Sequence, residues 1–232
     1  MESVNRTTFS WVIASVCVAC SAHQHEEGLS VSVYAAGVEA ADRAWTGDSG
    51  ETIRIVRGYI SLSDLEIVKC EQSVARWRWP SLISEAQAHT TSSPTKIGAP
   101  AVWNVLSDTQ LAMGTLTPPP ARYCSVKGHF GPADSDARSL PNDAVVVGKT
   151  FNLELTIASG TSKRNLTLEG SQRISFEVPV VIDVSETTPH ASVILSEQAS
   201  NWFRGVDFNG PKEKCAEAFA ANLGANARIA AR

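Results

Sequence analysis

Residues 51–70 read ETIRIVRGYISLSDLEIVKC. Ile53 and Ile55 share one phase, Ile60 and Leu62 share a phase, and Leu65 and Ile67 have switched. Alternation of apolar and polar side chains with a period of two marks a strand that buries one face and wets the other. The stretch is therefore two strands or one long bent strand. The polar pair Ser63-Asp64 is the place where the extra residue of a bulge fits.

The same alternation recurs outward from this segment. TFNLELTI (150–157) places Phe151, Leu153, Leu155 and Ile157 on one face, and RISFEVPVVI (173–182) does so with Ile174, Phe176, Val178, Val180 and Ile182. Pro179 has no backbone donor, so that strand belongs at an edge or carries a bulge. LSVSVYAAG (29–37) points Leu29, Val31 and Val33 inward and breaks at Gly37, while AVWNVL, TQLAMGTLT and ASVILSE supply further strands. SGETIRI (49–55) and ASGTSKR (158–164) read as hairpin turns, not phosphate cradles. Strands wetted on one face favour antiparallel sheets over βαβ units. The expectation is a mainly β protein, an antiparallel β-sandwich of around eight to ten strands. Its alanine-rich end, 211–231, reads as a C-terminal helix that turns Cys215, Phe219 and Leu223 towards the sheet.

At 232 residues with a net charge of -4 and scattered basic residues, the chain forms one domain and gives no reason to expect a nucleic-acid partner. No apolar run reaches the roughly 20 residues of a spanning helix. The N-terminus has one arginine, an apolar run over 9–19 and then VACSA, the pattern of a secretory signal. Residues 1–22 are read as a signal or lipoprotein signal peptide, with 23–232 as the single β-sandwich domain. Cys20 is the residue that would carry a lipid anchor, cleavage near Ala22 being the alternative. The location implied is the periplasm or the outer membrane surface; the competing reading is a cytoplasmic protein with a loosely packed N-terminus.

Three cysteines, Cys70, Cys124 and Cys215, remain after such a cut, and none has CxxC spacing. One disulfide and one thiol follow in an oxidising compartment. Cys70 and Cys124, both at strand ends and on inward phases, are the expected pair, with Cys215 as the rival partner. In PPPARYCSVKGHFGPADSDARSLP (118–141), alternation sets Cys124, Val126, Gly128 and Phe130 against Tyr123, Ser125, Lys127 and His129. Cys124 and His129 therefore cannot chelate one ion along a regular strand. Asp134 and Asp136 follow in an acidic turn, where carboxylates hold backbone amides; calcium is the ion such oxygens would take, although the loop lacks EF-hand spacing. In VARWRWP (74–80), Trp77 and Trp79 share a face as a buried or dimer-facing pair, and Trp103 reads as core. His23 and His25 fall in a flexible tail. No GxSxG, HExxH or glycine-rich phosphate loop is present, so no enzyme activity is expected.

The segments GYISLSDLEIVKC (58–70), ISEAQAH (83–89), TPPPARYCSVKGHFGPADSDA (117–137) and NWFRGVDFNG (201–210) occur in that order ahead of the final helix. Together they resemble the MbnP-like family of bacterial exported, copper-associated proteins. The chain departs from that family in having few histidines. The resemblance implies a β-sandwich that binds Cu(I) with histidines, and a periplasmic di-haem protein as partner. The chemistry of the histidines builds the copper site around His89, whose small flanking residues leave the ring unobstructed, with His129 or His190 arriving from another strand. The resemblance implies an aromatic residue such as Trp103 shielding the ion. The expected function is metal binding, copper above all, without catalysis. The alternatives are a sandwich module that binds carbohydrate or a protein partner in the cell envelope, and a structural envelope lipoprotein.

Overall fold

The computed structural model of the protein describes residues 28–38, 44–70 and 92–232. In chain order the elements are β1 (Ser30–Ala35), β2 (Ala44–Thr46), β3 (Thr52–Lys69), β4 (Lys96–Ile97), β5 (Ala101–Asn104), β6 (Leu111–Leu116), β7 (Ala121–Phe130), β8 (Phe151–Ser159), β9 (Ser162–Gly170), β10 (Ile174–Val184), β11 (His190–Glu197), α1 (Lys212–Asn226) and β12 (Ala227–Ala231). They form a mostly β sandwich. One sheet has the order β12-β11-β1-β6; the other runs β10-β7-β3-β8-β9, with β2, β4 and β5 also paired to β3. A single hydrophobic cluster joins Val31, Val33, Met113 and Leu195 of the first sheet to Ile53, Ile60, Leu65 and Val126 of the second.

β3 is the spine of the larger sheet, one strand of 18 residues. Its register against β7 shifts between Leu62 and Asp64, where the sequence phase changes. A second shift, against β8, falls between Ile55 and Arg57 and leaves Val56 59% exposed. That bulge explains how Ile55 and Ile60, an odd number of residues apart, are both buried. Phe151, Leu153, Leu155 and Ile157 of β8 are all buried as their alternation requires. β10 lies at the sheet edge, with a register shift between Pro179 and Ile182.

Three features depart from the sequence reading. First, β1 pairs with β11 in parallel, from Ser30↔His190 to Ala35↔Leu195, whereas the other strand ladders are antiparallel. Alternation reports which face is buried, not the direction of the neighbour. Second, β9 was not recognised as a strand, because SKRNLTLEG buries only Leu168 at the open edge of its sheet. Third, the helix ends at Asn226 and does not extend to 231. Ala227 turns extended (ψ 135°), and Ala227–Ala231 pair with β11. Alanine's helix preference of a few tenths of a kcal/mol per residue is overridden by the hydrogen bonds available along β11.

Cys70 and Cys124 form the expected disulfide, with Cα atoms 4.8 Å apart. Its setting differs from the expectation. Lys69 pairs with Tyr123 while Val68 pairs with Ser125, so Cys124 is the extra residue of a bulge on β7. The bulge reverses the phase: Tyr123 turns inward and donates to Pro119 O at 2.9 Å, and Cys124 is exposed. The bridge clips the outer rim of the β3–β7 ladder. Cys215 is free and buried, and its Sγ donates to Asp207 O at 3.1 Å. Burial, with Asp207 close by, raises the pKa of its thiol.

Cys215, Ala216, Phe219, Ala220 and Leu223 form the buried stripe of α1. Phe219 meets Phe151 at 4.8 Å and Trp202 at 5.8 Å between ring centroids, and Trp202 stacks on Trp45 at 6.3 Å. The Trp202 indole donates to Glu197 Oε2 at 3.2 Å, while Glu197 Oε1 is enclosed without a partner. Burial pushes the Glu197 carboxyl well above the usual carboxylate range, opposed in part by the Trp202 bond and the charge of Arg228. Its folded-state pKa thus exceeds the unfolded value. The stability it contributes is complete below the unfolded pKa of about 4.3 and is lost as pH rises through the folded value. Glu197→Gln, neutral at every pH and able to accept the same indole bond, therefore raises the denaturation midpoint at neutral pH. The gain shrinks as pH approaches about 4. Urea titrations across pH check this; equal gains at all pH values would contradict it.

Candidate functional site

The register of the larger sheet assembles one polar cluster. Asp64, at the β3 bulge, lies directly opposite His129 of β7. β10 sets Ser175 beside His129, with Arg173 two residues ahead, and β4 pairs Lys96 with Glu66. His129 Nδ1 is 2.7 Å from Asp64 Oδ1, and Arg173 Nη2 is 3.0 Å and Lys96 Nζ 3.5 Å from Oδ2. Asp64 is only 3% exposed, and the His129 side chain is 32% exposed. A buried carboxylate is stable only when paired and hydrogen-bonded, and here three side chains from three other segments meet that need.

The next rows continue the pattern. Lys127 Nζ is 3.2 Å from Glu66 Oε2, and Ser125 Oγ donates to Glu177 Oε1 at 2.7 Å. His129 shares the outer face with Lys127 but is half-buried and fixed by Asp64. Gly128 holds the adjacent backbone close, since a Cβ there would come within 2.7 Å of Asp64 O and 2.6 Å of Phe176 Cζ. Any side chain at 128 would push apart the two strands that carry Asp64 and His129.

A carboxylate only accepts hydrogen bonds, so in the neutral imidazole this contact puts the proton on Nδ1 and the lone pair on Nε2. Imidazoles that bind metals are commonly held in this way, with the second nitrogen donating to a carboxylate. The same geometry fits a proton acceptor. Arg173 and Lys96 add two positive charges around the single negative charge of Asp64.

The other candidates do not join this cluster. His190 begins β11 in the smaller sheet, its Nδ1 2.9 Å from Ser30 Oγ. Ser175 of β10 pairs with His129, Val184 pairs with Ala121 at the far end of β7, and a turn at 185–188 then leads to His190. Strand rise of about 3.3 Å per residue puts roughly 30 Å between Ser175 and Val184. His129 and His190 thus stand at opposite ends of the strand and cannot share an ion. Asp134 and Asp136 are exposed in a turn closed by a backbone bond, Ala137 N donating to Asp134 O at 3.1 Å. Trp103 is core, 2% exposed opposite Ile60. His89, Cys20, His23, His25, Trp77 and Trp79 lie outside the described residues. Among the described residues, no three His, Cys, Asp or Glu side chains converge as a metal-binding group.

Sequence reasoning missed Asp64, Arg173 and Lys96 as members of the cluster. The available signal was Asp64 at the phase break, since an acid at a bulge between two inward runs has its side chain re-aimed. Comparison with protein-family models, with curated proteins and with solved structures found no match. Fold and site together define a β-sandwich that carries an imidazole held by a buried carboxylate on the outer face of its larger sheet.

Proposed function

We propose that the protein is an exported, non-catalytic metal-binding protein of the cell envelope, with copper as its ion and His129 as the ligand supplied by the described fold. One observation carries this reading: the 2.7 Å contact of Asp64 with His129 Nδ1, which orients the ring with Nε2 available. Imidazole suits copper in either oxidation state. His89, the ligand around which the sequence reading builds the site, belongs to the chain between β3 and β4. The Cys70–Cys124 disulfide supports export, since such bridges persist in oxidising compartments. A di-haem protein of the periplasm as partner, and a lipid anchor at Cys20, belong to the same reading.

Competition with a Cu(I) chelator tests it. His129→Ala and His89→Ala each weaken copper binding by at least about tenfold, and Asp64→Asn weakens it by about 10- to 100-fold through loss of ring orientation. Lys127→Ala leaves affinity unchanged. Equal affinity in wild type and the His129 variant would remove the site from this part of the fold.

A second reading has its own support. Lys96, Lys127 and Arg173 are interleaved with Asp64, Glu66 and Glu177, and this mixed-charge face suits a polar carbohydrate or a protein surface of complementary charge. Under that reading, Arg173→Gln weakens binding of the glycan or protein partner and no copper dependence is seen.

A further inference from the structure

The first strand pair of β3 forms a second polar site, at the end of the strand remote from Asp64. A cavity of about 290 Å³ lies there between the β2–β3 turn, the β8–β9 hairpin and the loop ahead of α1. Its walls follow from register. Thr52 pairs with Ala158 and Ile53 with Ile157, so Glu51 falls opposite Ser159, which pairs with Ser162; Ile157 pairs with Arg164. The inward face of the sheet thus changes from the apolar row of Ile53 and Ile157 to a polar row of Glu51, Ser159 and Ser162.

Glu51 is 5% exposed, and its Oε2 is enclosed with no hydrogen-bond partner among the described residues. Its carboxyl folds back over Gly47, where a Cβ would come within 2.8 Å of Oε1. Across the cavity, Arg164 Nη2 donates to Phe208 O and to Asn209 Oδ1. An enclosed carboxylate without a partner is costly, and the cavity beside it is where a partner can enter.

The two walls restrict the ligand. Arg164 opposes a simple cation, and Glu51 opposes a simple anion. The lining offers no aromatic ring for a sugar to stack on. A molecule with an ammonium beside a carboxylate satisfies both walls at once. β3 and β9 are two strand spacings apart, roughly 10 Å, which leaves room for a small ligand between their side chains. We infer that this cavity binds an α-amino acid, its ammonium on Glu51, its carboxylate on Arg164 and the Ser159 and Ser162 hydroxyls between.

Calorimetric titration of the full chain with each of the twenty standard amino acids, and with ethylamine and acetate as single-charge probes, tests this. At least one amino acid binds with a dissociation constant below about 1 mM. Ethylamine and acetate bind at least about tenfold more weakly, and Glu51→Gln and Arg164→Gln each lose at least about tenfold in affinity. Thermal melts identify which variants fold; should Arg164→Gln fail to, Glu51→Gln carries the test. The proposal is overturned if no amino acid binds, if ethylamine binds as tightly as the best amino acid, or if a folded Glu51→Gln variant binds like wild type.

Discussion

Removing the Cys70–Cys124 bridge, by reduction or by changing both residues to serine, lowers the unfolding free energy by about 4 kcal/mol. The two cysteines are 54 residues apart, and cross-linking a loop of that length restricts the unfolded chain far more than the folded one. Little native contact is lost, because Tyr123 and Val126 on either side stay buried and the β3–β7 ladder is held by its own hydrogen bonds. The effect is a large share of the roughly 5–15 kcal/mol that holds an ordinary domain together. Cys124 is exposed, so a reductant reaches the bridge without prior unfolding. Cys215 is 2% exposed, so its thiol resists alkylation until the chain opens. Guanidinium unfolding with and without reductant measures the difference, with alkylation of Cys215 as an independent clock. A change below about 1 kcal/mol would show that loop restriction is not what the bridge supplies.

Trp202→Ala costs about 3–5 kcal/mol, the range for deleting a large buried aromatic side chain. Trp202 is 0% exposed and touches both layers of its surroundings, with Trp45 at 6.3 Å on one side and Phe219 of α1 at 5.8 Å on the other. Phe203 also leans on Trp45, at 5.2 Å, and on Phe219, at 5.8 Å, so a hole at 202 loosens the whole aromatic group under the helix. The substitution also strips Glu197 of its indole donor, leaving an enclosed carboxyl with neither oxygen bonded. Trp202→Phe separates the terms: it keeps most of the ring volume, removes the donor, and costs about half as much. Urea midpoints measure both, and an unchanged denaturant slope shows that the same surface is exposed on unfolding. A loss of less than about 1 kcal/mol in the alanine variant would mean that the site collapses without a cavity.

Where a segment buries one face, its sequence already carried the outcome. The alternation of β8, the phase change at Ser63-Asp64 and the awkward proline of β10 each correspond to a ladder, a bulge and an edge. Directions and partners did not follow from it. Nothing in LSVSVYAAG distinguishes a parallel neighbour from an antiparallel one, and the run of alanines near 227 is as compatible with a helix as with a strand until the open edge of β11 is in place. The site was legible only by halves. His129 stood out as an imidazole, but the residue that makes it chemically distinct, Asp64, is 65 positions away and reaches it through cross-strand register alone. The Glu51 cavity was invisible for the same reason, because its row of polar groups exists only once three strands are aligned.

The parallel pairing of β1 with β11 has a consequence for the order of assembly. Ser30 and His190, paired in that ladder, are 160 residues apart, and β12 completes the same sheet from the last stretch of the chain. Contacts between such distant segments are slow to form, because the entropy of closing a long loop is lost before any pairing is gained. During synthesis β1 emerges ahead of every other described strand, yet its central place in the smaller sheet stays open until β11 has followed. The β8–β9 hairpin and the β3–β8 ladder can form while the chain is still growing. In the smaller sheet β6 can join β1 early, but the other edge of β1 stays unpaired until β11 and then β12 have emerged.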